Sequence, residues 1–214
     1  GEGGQLLAEK KMQREEDGVW SIAFEEDILE QYYTFQAKVN GQWMNEVVDP
    51  YARAVGINGD RGQVVDLSQT NPGGWDLDKG PRLPSATDAI IYELQVRDIS
   101  MHESSGIQQK GKFLGLVEPG TNSPQGLATG LEHLKELGVT HVHLLPSFDF
   151  RSIDERFPEA NKYNWGYDPK NYNVPEGSFS SDPYDGAVRI REFKEMVQAF
   201  HDNGIGVILD VVYN

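Results

Sequence analysis

Three aromatic rings, a glycine and a carboxylate fall within seven residues at Tyr163-Asn164-Trp165-Gly166-Tyr167-Asp168-Pro169, and Lys170-Asn171-Tyr172-Asn173 continues the run. Flat rings beside polar tips suit a ligand with apolar faces and hydroxyl edges, which is what a sugar presents. No helical or alternating apolar period fits the stretch, so it is expected to be a loop held in one shape. Gly166 permits a backbone turn that other residues resist, while Pro169 fixes its own φ and restricts Asp168. An aromatic loop packed only on its own domain is the alternative.

Other chemistries have less support. The chain has no cysteine, which excludes disulfides, zinc-thiolate sites and cysteine nucleophiles. The five histidines make no HExxH-type pattern; His141 and His143 share one strand face, where packed histidines are the simpler reading than a metal pair. No residue is assigned to a metal, and no calcium ligand can be named. The 34 acidic residues offer candidates for paired-carboxylate work, among them Asp149, Asp154, Glu155, Asp168 and Asp210. Retaining glycoside hydrolysis needs two carboxyl groups about 5–5.5 Å apart. No spacing selects such a pair, and no catalytic residue is assigned within 1–214. The net charge of −15 argues against nucleic acid and against anionic membranes. No apolar run approaches the roughly 18 residues of a membrane span.

The elements that must position the aromatic stretch divide the chain. Residues 1–17 are polar and read as a leader or linker, with one helical turn around Leu6 to Met12. Residues 18–70 read as a small β-sandwich: strands at Val19 to Phe24, Tyr32 to Val39 and Gln42 to Val48, with Asn40-Gly41 as a two-residue hairpin turn, and an extended piece at Val64 to Leu67. Residues 71–87, rich in glycine and proline, read as a linker. From 88 to 214 the period changes. Ala89 to Val96, Val139 to Leu145 and Ile205 to Val212 are apolar strands. A helix with Leu127, Leu131 and Leu134 on one side and another from Asp185 to Asn203 separate them, the latter with Ile190, Phe193, Val197 and Phe200 as its buried stripe. Strand–helix alternation with nearly continuous apolar strands means a parallel sheet covered on both faces. The loop of about 40 residues after the second strand holds the aromatic stretch, at the strand C-termini where such folds bind ligands. A parallel barrel and a doubly wound sheet both fit this pattern, and since a complete eight-stranded barrel takes about 250 residues the chain is expected to be part of a domain.

These segments resemble one family in order. Tyr163 to Pro169 with Asn171 to Ser178 resembles the signature of type I pullulanases, the α-1,6 debranching members of the α-amylase clan. Ile91 to Ser100 resembles their first barrel strand, Val139 to Pro146 the second, and Asp210-Val211-Val212-Tyr213-Asn214 the clan's first conserved region on the third. Glu46 to Ala52 and Asn58 to Gly62 are similar to the β-sandwich, of the carbohydrate-binding-module-48 kind, that precedes the barrel. The family that these motifs resemble implies an N-terminal β-sandwich followed by the first three βα units of an incomplete (β/α)8 TIM barrel.

What the resemblance implies can be stated residue by residue. Tyr167 would stack on the sugar at the cleavage site, with Asp168 touching that sugar or holding the loop. Tyr163 and Trp165 would form wall and packing. Asp210 would organise the catalytic centre, and Asn214 would be structural or ion-binding. The clan's nucleophile, acid/base and third carboxylate follow the fourth, fifth and seventh strands, so they are expected outside this chain, in a C-terminal remainder that would be its partner. The implied reaction is retaining hydrolysis of α-1,6 links in pullulan, starch or glycogen, with no cofactor. A related isoamylase or α-amylase-type glycosidase and a non-catalytic glucan-binding fragment are the alternatives. Polymer digestion suits a secreted, periplasmic or cell-surface location better than a cytoplasmic one, although no residue fixes the compartment.

Overall fold

A computed structural model describes residues 4–157 and 162–213. The first three residues of the expected leader, and Asn214, lie outside the described residues.

The N-terminal region is built from short antiparallel pairs. β1 (Gln13–Arg14) pairs with β2 (Trp20–Ser21), β3 (Tyr32–Tyr33) with β6 (Gly62–Gln63), and β4 (Lys38–Val39) with β5 (Gln42–Trp43). Asn40 and Gly41 turn the β4–β5 hairpin with φ of 49° and 81°, the positive values that a two-residue turn requires. These strands are shorter than the sequence suggests. Val64 to Leu67 is not a strand at all; Gly62 and Gln63 pair instead. The stretch read as leader supplies β1, and no helical turn forms at Leu6 to Met12. Trp20, Val39, Trp43 and Val47 are exposed, so alternation here does not report a sealed face.

Next come β7 (Ile91–Leu94), α1 (Asp98–Met101), α2 (Gly130–Leu137) and β8 (His141–Leu144). After them lie β9 (Phe148–Phe150), β10 (Pro169–Pro175), α3 (Gly186–Asp202) and β11 (Gly206–Leu209). β7, β8 and β11 make a parallel sheet with β8 central, in register through Ile91–His141–Gly206 and Leu94–Leu144–Leu209. The order follows the chain, as in a barrel. One sheet face, with Leu94, Val142 and Leu144, packs on Leu134 of α2 and on Met196 and Phe200 of α3; burying each such side chain contributes roughly 1.5–3 kcal/mol.

Helix boundaries follow local chemistry. Asp185 caps α3 by accepting from Ala187 N at 2.8 Å. At its far end Gly204 takes φ 73° and Ile205 N reaches back to Phe200 O at 2.9 Å. Ile190 and Phe200 of the expected stripe are buried, Phe193 and Val197 partly so, and Met196 completes it. Leu127 precedes α2 and is 69% exposed, because the helix starts only at Gly130.

Two expectations are corrected by packing. The 146–185 connection is not a plain loop: β9 and β10 form a bulged antiparallel pair within it. The stretch read as a linker is pinned along α3, through Lys194 to Asn71, Gln198 to Gly73 O and His201 to Asp78. Residues 52–63 likewise pack on β10, where Ala52 and Val55 bury with Val174.

Candidate active site

The aromatic loop sits over the C-terminal ends of the three parallel strands and is held by side chains from each neighbouring element. Its turn is built around Asn164, whose Oδ1 accepts from Gly166 N at 2.9 Å while its Nδ2 donates to Asp168 Oδ1 at 2.8 Å. An asparagine two residues before a turn glycine is a recurrent backbone mimic. Gly166 is buried with φ 90°, and a Cβ there would stand 2.5 Å from Pro146 O, so no other residue fits. Asp168 also accepts from Ser152 Oγ, and its carbonyl accepts from Arg151 N at 3.1 Å. Its carboxylate is thus engaged in holding the loop.

Tyr167 presents a partly exposed ring, and its hydroxyl donates to Asp210, the residue directly after β11. That bond keeps the proton on the phenol and pushes its pKa up to about 12, with desolvation adding to it. Asp210 is anchored by its own N–H to Leu144 O at 3.0 Å. Desolvation first, then the charge of Asp98 at the start of α1, raises the Tyr163 pKa, and its ring meets Trp165 edge to face, with centroids 6.3 Å apart. Trp165 is 60% exposed. Tyr163, Trp165, Tyr167, Asp168 and Asp210 are therefore brought to one end of the sheet. The result is an exposed aromatic wall with a carboxylate at its foot, suited to stacking on a ring and bonding its hydroxyls.

Beneath this wall lies a polar cluster that the sequence did not reveal. Arg189 of α3 is fully buried. Its guanidinium donates to Asp149 Oδ1 at 3.2 Å, Glu155 Oε2 at 2.6 Å, Gly56 O at 2.9 Å and Pro183 O at 2.6 Å. Glu155 also accepts from Asn58 N and from Gly177 N at 2.5 and 3.1 Å. Glu176 accepts from Phe150 N at 3.0 Å and Ser178 N at 2.8 Å. Asp149, Glu155 and Glu176 bring oxygens within 4.8 Å of one another, a grouping that could hold a cation, but the cation seated against two of them is Arg189. Burial raises all three acids, Glu155 to about 7 and Glu176 to about 8, with Arg189 opposing and the neighbouring carboxylates reinforcing the rise on the two glutamates. Asp149 and Glu155, candidates for a carboxylate pair by residue type, are sealed from any substrate. Asp154 is tied to Arg156 at 2.7 Å.

His141 bonds Thr140 Oγ1 at 2.9 Å, and His143 faces Glu93 at 3.7 Å. They line the sheet face opposite the helices and share no ligand arrangement. Among the described residues no helix is long and apolar enough to cross a membrane.

Parallel strands alternating with helices, and a ring-presenting loop at the strand C-termini, define a TIM-barrel-type glycosidase fold. The family profile "Alpha amylase, catalytic domain" matches residues 104–214, just over half of the sequence, and the chain belongs to that family. It is similar to the pullulanase of Bacillus subtilis (strain 168), at 44% identity over 95% of this chain and 28% of that protein. Its fold matches the crystal structure of a pullulanase from Paenibacillus barengoltzii in complex with maltohexaose and α-cyclodextrin. There the TM-score is 0.96 and the identity 53%, over 100% of this chain and 33% of that one. The pullulanase from Bacillus acidopullulyticus gives a TM-score of 0.93 at 44% identity, over 100% and 26% of the two chains. The resemblance drawn from the motifs is therefore the one these relatives carry, and the chain spans between a quarter and a third of their length.

Proposed function

We propose that this chain is the N-terminal part of a debranching α-glucan hydrolase: a β-sandwich module followed by three βα units of a (β/α)8 barrel. Tyr167 is the platform on which the glucose at the cleaved bond stacks. The observation that carries this is the Tyr167–Asp210 hydrogen bond, which fixes an exposed ring from one strand's loop against the end of the next. Similarity to pullulanases, one of them crystallised with maltohexaose, supports an α-glucan as ligand.

The reaction is hydrolysis of α-1,6 links in pullulan, branched starch or glycogen. It goes with retention through a glycosyl-enzyme, on carboxylates supplied by strands beyond β11. The residues here bind and orient. Tyr167 offers its face, Asp168 and Asn164 hold the loop, and Asp210 keeps the phenol aimed. A polymeric substrate suits a secreted, periplasmic or cell-surface setting.

The test is hydrolysis of pullulan by the full-length protein, with proton NMR of the first-formed product to read its anomeric configuration. Release of an α-configured product supports the reading. Glucan binding without hydrolysis would leave a binding protein, and β-configured product would refute retention.

A further inference from the structure

Gln95 follows β7 by one residue and is 7% exposed, yet both ends of its amide are engaged. Its Oε1 accepts from Arg97 N at 2.6 Å and Asp98 N at 2.9 Å, closing the turn that opens α1. Its Nε2 donates to Asn164 O at 3.2 Å. The orientation of the amide follows from chemistry: two backbone N–H groups on one side require the oxygen there, which leaves the NH2 for the carbonyl. One short turn after the first strand thus holds the aromatic loop at Asn164, the residue whose side chain builds the turn beneath Tyr167.

We propose that Gln95 is a positioning residue for glucan recognition: its amide fixes Asn164, and through it the ring of Tyr167, in the attitude that the sugar meets. This rests on the reading of Tyr167 as the sugar platform. The reasoning is geometric. The loop is tied on one side to Ser152 and Arg151 through Asp168 and on the far side to β11 through Asp210. Gln95 supplies the tie to the first strand. Without the Nε2–H donor, the half-buried Asn164 loses the partner of its carbonyl, and the loop can slide along β7 while the other ties stretch. Precision within about half an ångström is what a binding constellation needs from its supporting groups.

Gln95→Glu separates this role from plain stability. The carboxylate still accepts both N–H groups of the α1 turn, while an oxygen replaces the donor that faces the Asn164 carbonyl. In the full-length protein, kcat/KM on pullulan is expected to fall about tenfold with Tm unchanged. Amide exchange over residues 162–168 should quicken by a similar factor, while exchange in 97–101 stays as in wild type. In a Tyr167→Ala background, Gln95→Glu should cost nothing further, because the ring it positions is gone. Unchanged exchange in the loop overturns the proposal, as does an equal loss of kcat/KM with and without Tyr167. If Gln95→Glu does not fold, Gln95→Met, which removes the donor to Asn164 O and leaves Asn164 unchanged, must quicken exchange in 162–168 and cost nothing further in a Tyr167→Ala background, and faster exchange confined to 97–101 overturns the proposal. If the wild-type protein acts on no α-glucan, the reading of the site fails. The hold of Gln95 on the loop is then still decided by exchange alone.

Discussion

Replacing Glu176 by Gln should change how stability depends on pH. The side chain is completely buried, and its oxygens accept from Phe150 N and Ser178 N. Burial first, then Glu155 and Asp149, raises its pKa from 4.5 to about 8. An acid raised in this way holds its proton more tightly in the folded chain than in the unfolded one. Its contribution is therefore fully present below about pH 4.5 and is lost as pH climbs through about 8. At about 1.4 kcal/mol per pH unit and per proton, the ceiling over that window is about 5 kcal/mol. The real figure is smaller, because Asp149 and Glu155 share the same excess of negative charge over Arg189. Gln keeps one acceptor and loses the other, which costs about 1–3 kcal/mol at every pH. Denaturation by urea at intervals from pH 5 to pH 9 should give a wild-type curve that falls and a variant curve that is nearly flat. The variant should be weaker in acid, with the gap closing or reversing above pH 8. Parallel curves would show that Glu176 does not hold the proton and would refute the account of the cluster.

Five further substitutions, at three positions, probe the site and its floor. Arg189→Met should destabilise by about 3–5 kcal/mol by leaving Asp149 and Glu155 without their cation, and Arg189→Lys should rescue little because an ammonium cannot reproduce the fork; urea midpoints report both. Gly166→Ala must place a Cβ 2.5 Å from Pro146 O at φ 90°, so the loop should shift and cost about 1–3 kcal/mol, read as a lower Tm together with a raised KM on pullulan. Tyr167→Ala should weaken glucan binding roughly ten- to hundredfold, the worth of about 1.5–3 kcal/mol of ring burial. Tyr167→Phe should lose only part of that, since it keeps the ring and gives up the bond to Asp210; titration calorimetry with a maltooligosaccharide compares the two.

Some of this was legible in residue order and some was not, for physical reasons. The three parallel strands show as apolar runs, but the expectation of cover on both faces is not met among the described residues. In β8 Val142 and Leu144 are buried against the helices while His141 and His143 are partly exposed, and Ile91 and Leu209 are exposed. Gly138, Gly204 and Asp185 mark helix ends through conformations and side-chain bonds that are local in sequence. The aromatic loop is legible for the same reason: Asn164, Gly166 and Asp168 constrain one another within five residues. The N-terminal pairs are harder to read. β3 pairs with β6 across thirty residues, and its exposed neighbours Phe35 and Val47 have the alternation of a strand without a buried face. The Arg189 cluster is harder still. Its members come from β9, the 151–157 loop, the end of β10 and α3, and no spacing rule links them.

That cluster nevertheless explains why the loop can be rigid where it is. Glu155 and Asp149 lie on either side of Arg151 and Ser152, and these two hold Asp168. Asn58 fastens the same stretch from the N-terminal side, through its N–H to Glu155 and its amide to Asp154. A ring that must be exposed to meet a ligand buries little of its own surface, so it cannot fix its own position by packing. Tyr167 is fixed instead by Asp210 at its hydroxyl and by a backbone whose ties run down into a buried ion network. The cost of burying three carboxylates against one arginine is paid well below the surface. What it secures is the attitude of a side chain at the surface, and it follows that substitutions in the floor should change glucan affinity without touching the wall.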